Sequence, residues 1–156
     1  MRFVHLVKIN DPLNPLIEPL TREQVWRGLV QRAERPEDFA PEMQSSRIIA
    51  RGDASLVREL DFGSFRVRDR VRLVPMEEML IETQAGEEVP SARLCITIEE
   101  PGPEQLDVRF EYEVQHPAET ALLEENVCDQ LLRQAYYEAD LDCIRLVRQR
   151  AEEGLL

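Results

Sequence analysis

The hydrophobic period of this chain changes twice, and each change narrows what it can fold into. Residues 2–9 alternate between apolar and polar and stop at the breaker cluster Asn10-Asp11-Pro12, which reads as a strand. Residues 10–20 carry Pro12, Pro15 and Pro19 and support no regular element. Thr21-Arg22-Glu23-Gln24 then has the capping-box pattern, with Val25, Trp26, Leu29, Val30 and Ala33 following at helical spacing. That helix must stop near Arg35, before Pro36, and residues 36–41 suit one short second helix around Phe39.

From about residue 43 to 116 the period is two. Six strands fit, at roughly 44–52, 55–62, 65–74, 78–84, 92–100 and 106–115, separated by short Gly, Pro and Asp turns. After His116-Pro117, which reads as a corner, the period returns to 3.6, and 118–152 reads as one long helix ending at Gly154. Consecutive strands on short connections form an antiparallel meander. A seven-stranded antiparallel sheet must cover one face, so it is expected to curve around the terminal helix. The expected class is α+β, one domain over residues 1–156, with two short helices after the first strand. A sheet gripping a helix leaves a gap, where small apolar ligands sit.

Register predicts which side chains face that gap. A two-residue turn at Gly63-Ser64 pairs Phe62 with Phe65, Leu60 with Val67, Arg58 with Asp69 and Leu56 with Val71. The inner face is therefore apolar apart from Arg58 and Asp69, which oppose each other. They read either as a structural ion pair, the commoner case, or as a polar anchor for a ligand. The other face sets Asp61 against Arg66 and Glu59 against Arg68 in water. Around Pro101-Gly102-Pro103, Ile98 faces Val108, Ile96 faces Phe110 and Leu94 faces Tyr112, a second inner face. Tyr112 either finds a partner within the fold or points its hydroxyl at a ligand.

On the first strand Phe3, His5, Val7 and Ile9 share the more apolar face, which turns His5 inward, as a core histidine or as an acid or base. On the terminal helix Val127, Leu131, Ala135, Ala139, Cys143 and Val147 fall near one stripe whose middle is small, giving either close contact or spare volume. Tyr136 and Tyr137 lie beside it, where they would rim an entrance. The candidate ligand-binding residues are thus Arg58, Asp69, His5, Tyr112, Phe110, Leu60, Ala135 and Ala139.

Composition and missing motifs exclude several functions. A formal charge of −12 opposes non-specific attraction to nucleic acid or anionic membrane. Most of it lies in residues 99–156, with 15 acidic and 5 basic residues. No apolar run is long enough to span a bilayer. Residues 1–8 lack the apolar stretch of a signal peptide. Cys95, Cys128 and Cys143 show no metal-like spacing and no disulfide framework, so a reducing cytoplasm is the expected compartment. No phosphate-binding loop, dinucleotide fingerprint, nucleophile elbow or zinc motif occurs, and neither metal nor cofactor is expected. A homodimer is compatible with the chain, but no interface is identified.

The strings Phe3-Val4-His5-Leu6-Val7-Lys8-Ile9-Asn10, Leu20-Thr21-Arg22-Glu23-Gln24-Val25-Trp26-Arg27-Gly28-Leu29, Arg58-Glu59-Leu60-Asp61-Phe62-Gly63, Val67-Arg68-Asp69-Arg70-Val71, Ile98-Glu99-Glu100-Pro101, Val108-Arg109-Phe110-Glu111-Tyr112 and Ala139-Asp140-Leu141-Asp142 together resemble the AtaL-like group of the START-like (SRPBCC) superfamily, which includes the birch-pollen-allergen fold. The resemblance covers essentially the whole chain. It implies a helix-grip fold with a cavity, in a superfamily whose members bind lipids, sterols, polyketides and plant hormones or act on them as cyclases. It assigns no role to any residue here. The reading is a carrier or sensor of a small hydrophobic or aromatic molecule. One alternative is a cyclase, dehydratase or isomerase on a polyketide-like substrate, with His5 or Asp69 as base and Arg58 stabilising an oxyanion. The other is an interaction protein with a vestigial cavity.

Overall fold

Every period-two run forms a strand in the computed structural model, which describes residues 1–87, 89–115 and 122–156, with side chains of the last stretch described from Asp129 onward. The order is β1 (Arg2–Asn10), α1 (Arg22–Glu34), a single 3-10 turn at Pro36–Asp38, β2 (Ser45–Gly52), β3 (Ser55–Asp61), β4 (Arg66–Val74), β5 (Glu78–Thr83), β6 (Ala92–Glu99), β7 (Leu106–Val114) and α2 (Leu122–Glu152). The strands form one antiparallel sheet in the order β1-β7-β6-β5-β4-β3-β2. Thr21 caps α1 with the reciprocal bonds of a capping box, its hydroxyl accepting from Gln24 N while the Gln24 side chain accepts from Thr21 N. The expected corner at His116-Pro117, the helix start at 118 and the side chains of Val127 and Cys128 lie outside the described residues.

Register follows the expected pairing. Leu56, Arg58 and Leu60 face Val71, Asp69 and Val67. Gly63, at φ +90°, is the first central residue of the turn, a conformation that glycine enters without strain. Ile96 faces Phe110 and Leu94 faces Tyr112. Outer side chains alternate with these and carry exposed ion pairs such as Arg68–Glu59 and Arg72–Glu82.

Two apolar clusters fill the concave side. The larger holds Ile9, Val25, Leu29, Met79, Ile96, Val108, Phe110 and Val147, with α1 and α2 closing it. The smaller holds Met43, Leu60 and Val67, with Ala40, Phe62 and Phe65 packed on it. Helices α1 and α2 approach closely at Gly28, where an added Cβ would lie 2.7 Å from Val147 methyl carbons. A register shift between Lys8 and Asn10 interrupts the β1–β7 pairing, and Arg148 of α2 donates to the Ile9 carbonyl there.

The expected stripe on α2 needs correction. Leu131 is 68% exposed, and Ala135 and Ala139 are exposed rather than packed on the sheet, where they border an open cavity, while Asp140, Cys143, Ile144 and Val147 are buried. A row at strict four-residue spacing drifts about 40° around the helix per step, so it leaves the sheet-facing side over several turns. The inner line alternates steps of three and four, through half-buried Tyr136 and buried Asp140, Cys143 and Val147.

Candidate functional site

Between the two apolar clusters lies a cavity of about 990 Å3. Its apolar wall includes Leu60, Phe62, Ile81 and Leu94 from the sheet, and Ala135, Tyr136, Ala139 and Leu146 from α2. Arg32 from the last turn of α1, Arg58 from β3, Tyr112 from β7 and Asp140 from α2 bring polar groups to the same wall. Alternation on β3 and β7 turns Arg58 and Tyr112 inward. Arg32 reaches the wall because it continues the inner spacing of Val25 and Leu29 along α1.

Asp140 is the polar centre of the fold and is fully buried. Its Oδ2 takes two contacts, at 2.6 Å from the Tyr112 hydroxyl and at 2.8 Å from His5 Nε2. With the carboxylate ionised, both contacts are donations to it. Its Oδ1 accepts no hydrogen bond among the described residues and lies 3.9 Å from an Arg32 guanidinium nitrogen. Burial opposes charge on Arg32, yet the nearby acidic groups, the Asp140 and Asp69 carboxylates among them, more than offset it and raise its pKa, so it is a fixed cation. Burial, then Asp140, pushes the Tyr112 hydroxyl well above its ordinary range, which keeps it a donor. Burial likewise lifts the Cys143 thiol to about 11.

Aromatic rings surround this cluster. His5 stacks between Phe3 at 5.3 Å and Phe110 at 5.2 Å, and Tyr136 lies flat against Tyr112 at 4.0 Å. Tyr137 tilts against His5 but is 42% exposed and does not line the cavity.

Arg58 and Asp69 form a different kind of pair. Arg58 Nε and Nη2 reach the two Asp69 oxygens at 2.8 and 2.5 Å, and Nη1 donates to the Ala33 carbonyl at 2.8 Å. This two-bond fork joins β3 and β4 to the end of α1. All three guanidinium nitrogens are engaged.

Of the eight residues singled out by sequence, five line the cavity: Arg58, Leu60, Tyr112, Ala135 and Ala139. Asp69, His5 and Phe110 do not line it. Asp69 sits behind Arg58, His5 behind Asp140, and Phe110 is fully buried in the main cluster. The sequence reading passed over Arg32 and Asp140. Both carried a signal: each is a charged residue on the inner three-four spacing of its helix. Among the described residues no group of three His, Cys, Asp or Glu side chains is placed to hold a metal.

The fold is shared with solved proteins of low sequence similarity. The Zhui aromatase/cyclase from Streptomyces sp. R1128 superposes with a TM-score of 0.68 at 14% identity, over 97% of this chain and 95% of that one. The di-domain aromatase/cyclase StfQ of the steffimycin biosynthetic pathway gives 0.73 at 11% identity, over 98% of this chain and 51% of that one, so the chain spans about half its length. A START superfamily protein from Mycobacterium smegmatis gives 0.56 at 15% identity, over 95% and 97% of the two chains. The architecture is therefore a helix grip. No curated protein matches the chain in sequence. The family model for acetylaranotin biosynthesis cluster protein L (AtaL) matches residues 7–154, nearly the whole chain, and the chain belongs to that family.

Proposed function

We propose that the protein binds a small hydrophobic or aromatic molecule in the cavity between the sheet and α2, as a carrier or sensor. The observation that carries this reading is the cavity itself. About 990 Å3 stands between two packed clusters, with a mostly apolar wall that also carries Arg32, Arg58, Tyr112, Asp140 and further charged side chains. This is the composition of a small-molecule site. The small side chains of Ala135 and Ala139 leave that volume open on the helix side. A cytoplasmic setting fits the free thiols of Cys95 and Cys143.

Filling the cavity tests the reading. Titration with 2-ethylnaphthalene, followed by its fluorescence, is expected to saturate in the wild type. In Ala139→Trp the affinity falls at least tenfold while the denaturation midpoint holds. Saturable binding that ignores the tryptophan would contradict the reading.

One observation favours a second reading, an enzyme of cyclase, dehydratase or isomerase type. Asp140, Tyr112 and His5 form a connected proton-bearing cluster, two of whose members line the cavity beside a fixed cation. Such an arrangement suits proton transfer at a polarised carbonyl. Arg58, whose three nitrogens are engaged, suits the oxyanion role less well than Arg32. Turnover of a poly-β-ketone substrate analogue that stops in Tyr112→Phe would select this reading over simple binding.

A further inference from the structure

We propose that Arg32 is the specificity-determining group of the cavity, and that it selects a neutral aromatic ligand bearing a carbonyl oxygen. This rests on the binding reading above and narrows the ligand class. Arg32 lines the cavity with its side chain 21% exposed. Among the described residues its side chain makes no hydrogen bond, and its one ion-pair contact is the 3.9 Å approach to Asp140 Oδ1, beyond hydrogen-bond reach. Its guanidinium N–H groups are therefore available to an acceptor. The neighbouring Arg58, by contrast, is held by Asp69 and the Ala33 carbonyl. Of the other basic residues of the wall, Arg145 is engaged by Asp142 at 2.5 Å, and Arg93 is exposed, so its guanidinium is solvated.

The surroundings of Arg32 decide what kind of acceptor fits. A hydrocarbon leaves a desolvated guanidinium without partners, which is unfavourable. A carboxylate gains Arg32 but meets the buried Asp140, whose Oδ1 already lacks a donor, and Glu138 on the same wall. A ketone or related neutral carbonyl accepts from Arg32 and brings no second negative charge. The apolar wall and the stacked Tyr112–Tyr136 pair suit a flat body behind that oxygen. The raised pKa of Arg32 keeps its charge across the working pH range.

Three naphthalenes of similar size separate the possibilities by isothermal titration of the full chain: 2-acetonaphthone, 2-ethylnaphthalene and 2-naphthoate. The ketone is expected to bind about tenfold tighter than the hydrocarbon and tighter than the carboxylate, the scale of one charge-assisted hydrogen bond. In Arg32→Leu the ketone and the hydrocarbon are expected to converge within about twofold. The carbonyl stretch of wild-type-bound 2-acetonaphthone provides a check that needs no variant, and it should fall below its value in an aprotic solvent. Equal affinities for ketone and hydrocarbon, or an unshifted stretch, overturn the assignment to Arg32 and leave the cavity reading standing. Tightest binding of 2-naphthoate overturns the neutral class. Failure of all three to bind overturns the cavity reading and this inference with it.

Discussion

Two arginine–aspartate pairs each bring an arginine to the same cavity wall, and they behave as opposites. Arg58–Asp69 is buried on both sides, joined by two short bonds and completed by a backbone carbonyl. Arg32–Asp140 is loose at 3.9 Å, with an arginine that reaches the cavity and a carboxylate oxygen lacking a donor. The first pair crosses strands already locked in register, so its geometry is fixed by the sheet. The second spans two helices whose separation is set by Gly28 against Val147, and its carboxylate is claimed instead by Tyr112 and His5. Residue type alone does not separate a strut from a recognition group; the count of engaged donors does.

Breaking the tight pair should produce the largest effect. Arg58→Leu leaves Asp69 buried without its partner and is expected to cost about 3–5 kcal/mol in urea unfolding. A loss below about 1 kcal/mol would mean that the pair is not the strut described here.

The neighbourhood of the loose pair should show itself in alkaline solution. Cys143 titrates near 9 in an unfolded chain and at about 11 in the fold, through burial. Its raised folded pKa means that the related stability is full below pH 9 and is lost as pH rises to 11. Two pKa steps correspond to up to about 3 kcal/mol. Chemical denaturation from pH 8 to 11 should show that fall, with a shallower one in Cys143→Ala; identical slopes would remove the thiol from the account.

The smallest change in stability belongs to Arg32→Leu. Asp140 keeps both hydrogen bonds and the lost ion pair is long, but a buried carboxylate loses its nearby cation, so the expected cost is about 1–2 kcal/mol by the same urea measurement. The contrast with Arg58→Leu is the sharpest form of the comparison. Equal costs for the two variants would make Arg32 a strut as well.

How much of this was legible in the sequence follows the same division. Strand pairing is governed by alternation and turn length, so the Gly63-Ser64 turn alone placed Arg58 against Asp69 and Leu60 against Val67. Helical faces were less legible. Four-residue spacing led to Leu131, Ala135 and Ala139 as the sheet-facing stripe, yet the drift of that row carries Leu131 into solvent. Asp140 was visible within Ala139-Asp140-Leu141-Asp142, but only its place on the three-four spacing set it apart from the exposed Ala139 and Asp142. Its partners lie 28 and 135 residues away in sequence, and only the folded sheet brings them together. Arg32 was hidden for a related reason, since an arginine near a helix end is ordinarily a solvated residue.

The most direct test of the central claim is where a ligand sits. Isotope-filtered nuclear Overhauser spectroscopy of 2-acetonaphthone bound to labelled protein should show contacts to Leu60, Ile81, Ala139 and Leu146, with the ligand methyl ketone nearest the Arg32 side chain. Contacts confined to the surface groove at Leu16, Ile17 and Ala151 would contradict it.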